Sequence, residues 1–143
     1  MENVQHLIQL LQSSISPIIL ISGVGLLLLS FTNRLGRVID RSRFIVNELK
    51  DGKDDIKKIQ IPILYKRGRI LRSAITSISF TILFASLMIL LLFLGYFTHL
   101  NVEIVFISFF ILAIMGLIIS IILFMWDVAV SLKALKIQAG DFL

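Results

Sequence analysis

At 143 residues, with 57% hydrophobic and 16% charged residues and a mean hydropathy of +0.97, the chain is too apolar for one soluble domain and sized for one small membrane domain. The absence of cysteine excludes disulfides, a thiol nucleophile and cysteine metal sites. The net charge of +5 is placed one-sidedly, since 12 of the 14 Lys and Arg lie between Arg34 and Arg72 and the other two are Lys133 and Lys136.

Residues 1–14 place Val4, Leu7, Ile8 and Leu11 three and four apart, with Gln5, Gln9, Gln12 and Ser13 on other faces. This spacing predicts a short amphipathic helix, either lying flat at the outer surface or packed on the spans. Met1-Glu2 shows no basic n-region, so the first span is expected to be retained as structure. Ser14 and Ser16 before Pro17 read as an N-cap with proline in the first turn.

Three uncharged runs follow, Ile15 to Thr32, Ala74 to Thr98 and Ile104 to Trp126, each near or above the ~20 residues that cross ~30 Å of hydrocarbon. The fold class expected is all-α, an integral membrane protein with three transmembrane helices. Strands of a membrane barrel would alternate apolar and polar residues, which Leu90-Leu-Leu-Phe-Leu94 does not. The first span carries Ser22, Gly23, Gly25 and Ser30, small residues that permit close approach of another backbone, within the protomer or from another copy.

Past Asn33, the seam Leu35, Val38, Ile39, Ser42, Ile45 or Val46, and Leu49 carries the same helix to about Lys50, where Asp51-Gly52 is a stop signal. The element expected over 15–50 is thus one span with a water-exposed extension projecting roughly 25 Å. A polar connector, 51–61, leads to Pro62, read as the first turn of a second helix over 62–98. There Ile63, Leu64, Arg67, Ile70, Leu71 and Ala74 lie three or four apart, so the two extensions should zip as a cytoplasmic helical hairpin. The row Ser73, Ser77, Thr81, Ala85 reads as a contact face for the glycines of the first span. The short loop His99 to Glu103 makes the second and third spans antiparallel neighbours; the third, 102–127, carries Gly116 and Ser120 as a small pair and ends at Trp126-Asp127, before a tail over 128–143. The basic residues place the N-terminus outside and the 34–72 segment and C-terminus in the cytoplasm, the protein being multi-pass in the cell inner (plasma) membrane.

The stretch Ile15 to Arg43 resembles a family of small prokaryotic integral membrane proteins catalogued only as a domain of unknown function. The likeness lies in Ser16-Pro17, Ser22-Gly23, Leu28-Leu29-Ser30, Thr32-Asn33-Arg34 and Arg37-Val38-Ile39-Asp40-Arg41. It implies a three-helix membrane fold and no activity.

Chemistry-bearing constellations are sparse. His6 and His99 lack a serine or acid at a triad-like spacing and are too few for a metal site, and Gly23-Val-Gly25 sits inside an apolar span, so no enzyme, cofactor or metal is expected. The segment 34–72 has 12 cations against five acids, which suits anionic lipid headgroups at about 1 kcal/mol per cation near the surface. Its few aromatics, Phe44 and Tyr65, argue against nucleic acid. Asn33, Arg34, Arg37, Asp40 and Arg41 fall within about two turns. In a homo-oligomer built around the first helix they would ring the axis of a channel or transporter for ions or small solutes. In the compatible bland reading, Asp40 pairs with Arg37 or Arg43 while Asp127 neutralises Arg34 or Arg37. The alternative function is a structural or regulatory membrane protein whose basic hairpin binds a partner protein or anionic lipid.

Overall fold

The computed structural model describes residues 2–50, 55–98 and 102–139. They form three helices, α1 (Glu2–Lys50), α2 (Asp55–Thr98) and α3 (Glu103–Ala139), with no strand among the described residues. At 1.5 Å per residue even α3, with 37 residues, is roughly 55 Å long, well beyond the ~30 Å of a hydrocarbon core. Each helix contains a stretch apolar and long enough to cross a membrane, within Leu7–Leu49, Gln60–Thr98 and Glu103–Leu132.

Two boundaries differ from the sequence expectation, both at proline. α1 runs through residue 14 without a break, and Pro17 is buried inside it, so residues 1–14 do not form a separate amphipathic helix. The missing N–H of Pro17 costs one backbone bond at Ser13, but the flanking residues retain helical pairing, and the Ser13 and Ser14 hydroxyls donate to the carbonyls of Gln9 and Leu10, both at 2.9 Å. Pro62 likewise lies inside α2, which begins at Asp55, so the connector is shorter than 51–61; residues 51–54 lie outside the described residues.

Burial on each helix recurs every seven residues. On α1 the buried side chains include Pro17, Val24, Phe31, Val38 and Ile45; on α2 they include two interleaved rows, Leu71, Ile78, Ala85 and Ala74, Thr81, Met88, with Ile70 beside them; on α3, among the described side chains, they are Ala113, Ser120 and Asp127. A seven-residue repeat keeps one seam of a helix facing its neighbours along its length. Ile39, expected in the seam beside Val38, and Val46, the alternative to Ile45, are 41% and 40% exposed, so the seam runs through Val38 and Ile45 and leaves Ile39 outside it.

The chain divides into two compact units. The first joins α1 up to Leu28 with Ser77–Ile118, and the second joins Leu29–Thr76 with α3 from Ile119 on. In the first unit, Ser77 Oγ donates to the Gly116 carbonyl at 2.8 Å, and Thr81 Oγ1 lies 3.2 Å from the Ala113 carbonyl and 3.3 Å from that of Ser77. A methyl at Gly116 would stand 2.7 Å from Thr81 Oγ1 and 3.3 Å from the Ser77 carbonyl oxygen, so glycine is what lets α3 meet α2 this closely. The small row on α2 therefore serves α3 and not the glycines of α1, and its first member, Ser73, is exposed. A methyl at Gly23 or Gly25 meets nothing within 4 Å. In the second unit, Ile70, Leu71 and Ala74 of α2 are buried, as are Phe31, Val38 and Ile45 of α1, and a methyl at Gly68 would meet the Val38 side chain at an ordinary 3.9 Å.

Candidate functional site

Asp127 occupies the seam of α3, a turn-for-turn successor of Ala113 and Ser120, and its side chain is fully buried. A carboxylate there would cost several kcal/mol unless cations met it. Two do, one from each of the other helices. Arg67 Nε of α2 donates to Asp127 Oδ1 at 3.2 Å, and Arg34 Nε of α1 lies 3.4 Å from Asp127 Oδ2. The Arg67 side chain is 16% exposed and that of Arg34 31%, and among the described residues Oδ2 accepts no hydrogen bond, so Arg67 is the closer partner and Arg34 the looser one.

Aromatic stacking reinforces this clasp. Phe31, one turn before Arg34 on α1, stacks on Phe124, one turn before Asp127 on α3, with centroids 4.5 Å apart and planes 13° from parallel. The Arg34 guanidinium carbon lies 5.0 Å from the Phe124 centroid. Matched i,i+3 pairs on α1 and α3 thus make two rungs, one aromatic and one ionic, and Arg67 ties α2 to the ionic rung. The arrangement orients helices at the charged end of their spans, and two guanidiniums against one carboxylate leave it a net positive charge.

The sequence-predicted charge cluster is divided by this geometry. Arg34 turns inward to Asp127, whereas Asn33, Arg37, Asp40 and Arg41 are exposed on α1. Arg37 does not reach Asp127, and among the described residues Asp40 forms no ion pair with Arg37 or Arg43. Arg41 lies over its own helix neighbour, its guanidinium carbon 5.5 Å from the Phe44 centroid. Arg67 was absent from the predicted cluster although the sequence carried a signal for it. It falls in the apolar row Leu64, Arg67, Leu71, Ala74, and a cation in a buried seam demands a buried anion. Of the small residues, Ser77, Gly116 and the buried Ser120 lie in packed seams, while Ser22, Gly23 and Ser30 are exposed and Gly25 is half-buried.

Three helices apolar enough to cross a membrane, with a buried acid on one clasped by arginines from the other two, define a multi-pass helical membrane protein. The chain belongs to the family described as Protein of unknown function (DUF2721), which it matches over residues 14–137. No curated protein and no solved structure matches it.

Proposed function

We propose that this chain is a homo-oligomeric membrane channel or transporter for ions or small solutes, with α1 nearest the axis, and that it does no enzymatic chemistry. The observation that carries this reading is the outer face of α1. Ile19, Ser22, Leu26, Leu29, Asn33, Arg37 and Asp40, spaced three and four apart, are all exposed, and the face changes from apolar to polar within one helix. Gly23, Gly25 and Gly36 leave open space beside this helix. An exposed carboxamide such as Asn33 at the end of an uncharged span is unfavourable against lipid and favourable against water or a second copy. In this reading the aqueous path lies between copies.

Lys and Arg crowded into 34–72 support an inner-membrane orientation with the N-terminus outside and the C-terminus cytoplasmic, which puts the ring formed by Asn33, Arg37, Asp40 and Arg41 at the cytoplasmic mouth. Flux of ions and small solutes through liposomes holding the full chain, with particle symmetry measured in nanodiscs, tests the proposal. The expected result is flux from a ring-shaped assembly, reduced several-fold when Gly25→Leu fills the open face. No flux from a monomeric particle would sink it.

A second reading, a structural or regulatory protein whose basic hairpin binds a partner protein or anionic lipid, is favoured by the exposure of Arg37, Arg41, Arg43, Lys66, Arg69 and Arg72. An assembly that passes nothing yet recruits anionic vesicles supports this reading over the first.

A further inference from the structure

We propose that Arg69 and Arg72, with Tyr65, form a site on the outer face of α2 for the phosphate of an anionic phospholipid headgroup. The inference rests only on membrane insertion of α2 and is independent of conduction or assembly.

Consecutive cations of α2 are used differently. Arg67 turns inward to Asp127, while Arg69 and Arg72 are exposed. At i,i+3 they share one face with their Cβ atoms about 5–6 Å apart, close enough for two guanidinium forks to hold one phosphate. Arg69 is already oriented, since its Nη2 donates to the Tyr65 hydroxyl at 3.0 Å and its guanidinium carbon lies 5.0 Å from the ring centroid. Tyr65 is itself 66% exposed, as suits an aromatic residue at a membrane interface. Arg72 makes no ion pair among the described residues.

The depth of the pair follows from the clasp, which sets Arg34, Arg67 and Asp127 at one level. Arg72 lies five residues from Arg67 toward the uncharged part of α2, or about 7.5 Å. Beyond it, Ser73 to Thr98 contains no charge and is roughly 39 Å long, more than the ~30 Å hydrocarbon core, so Arg72 sits at the edge of that core and Arg69 one turn outside it.

Among the described residues no unpaired acid reaches the pair. α2 has no acid from Gln60 to Thr98. Asp127 is held by two other guanidiniums. Asp40 lies six residues beyond Arg34 in the opposite direction, about 16 Å along the helices from Arg72. Two guanidiniums at the hydrocarbon edge, with the nearest described acid, Asp127, already held by Arg34 and Arg67, select the anion available at that depth, a lipid phosphate. A headgroup of net negative charge is preferred over a zwitterionic one, because the ammonium of the latter meets Arg69 and the exposed Lys66.

The test counts lipids retained by the full chain in detergent, by native mass spectrometry, while phosphatidylglycerol, phosphatidylcholine or inorganic phosphate is titrated. Phosphatidylglycerol should bind preferentially, and the double variant Arg69→Gln/Arg72→Gln should weaken it about tenfold or more, while Lys133→Gln/Lys136→Gln, which removes the same charge outside the 34–72 segment, leaves it unchanged. Should the glutamine variant fail to fold, Arg69→Lys/Arg72→Lys keeps the charge and loses the fork, and an intermediate loss of affinity is expected. Equal affinity in wild type and either Arg69/Arg72 variant would overturn the site. Displacement by inorganic phosphate at equal concentration would overturn the lipid as its occupant. A protein occupant would leave the purified chain indifferent between the two lipids, which also rejects the proposal.

Discussion

A single carboxylate, Asp127, decides how three helices meet at the charged end of their spans. Replacing it by Asn keeps the shape but leaves Arg34 and Arg67 facing each other without an anion. We expect Asp127→Asn to lower stability by about 3 kcal/mol, seen as a drop in thermal midpoint in detergent, and an unchanged midpoint would show that the clasp carries no stability. Arg67→Ala should cost more than Arg34→Ala, because Arg67 makes the hydrogen bond and is the more buried, whereas water screens part of Arg34. Pairing of Asp127 with Arg34 or Arg37 was legible in the sequence, since these residues border uncharged runs that end at the same membrane depth. Choosing Arg34 over Arg37 was not, because it depends on which face of α1 turns inward. Arg37 lies almost a full turn from Arg34, yet that small angular offset places it outside the seam.

Among the helices, glycine and hydroxyl residues have two separate destinies. Ser77, Thr81 and Gly116 form a tight α2–α3 contact, and Gly116→Ala should destabilise the protomer by about 1–3 kcal/mol, because Thr81 is fixed by its bonds and the Ser77 carbonyl belongs to the backbone. Gly25→Ala fills open space and should change protomer stability by less than about 1 kcal/mol. Comparing the thermal midpoints of the two variants in detergent checks both expectations, and a Gly25→Ala loss as large as that of Gly116→Ala would contradict the open face. The row at 77 and 81 was readable as a contact face from its spacing. Its partner was not, because α1 and α3 both carry small residues. The decision rests on which backbone leaves a carbonyl uncovered for the Ser77 hydroxyl, and Gly116 does so.

At the scale of the whole molecule, the lack of cysteine makes orientation directly measurable. Single substitutions Gln5→Cys and Arg43→Cys, both at exposed positions, should be labelled by a membrane-impermeant maleimide from opposite sides, Gln5→Cys from outside intact cells and Arg43→Cys only after permeabilisation. Labelling of Arg43→Cys in intact cells would reverse the proposed topology.

A run of uncharged residues and a seven-residue apolar repeat are properties of the chain alone, and from them the class, the number of spans and the continuation of α1 past Asn33 were legible before any packing was known. The prolines misled about helix starts, since a proline that fits a first turn is also tolerated inside a helix whose flanking residues keep their pairing. Which side of each helix is shared is settled by packing. Burial depends on the rotation of one helix against two others, and that rotation separates Arg34 from Arg37, Arg67 from Arg69 and Arg72, and Gly116 from Gly23 and Gly25. The basic stretch that reads as one patch is divided by it into two arginines spent on Asp127 and an outer set facing lipid, water or another copy.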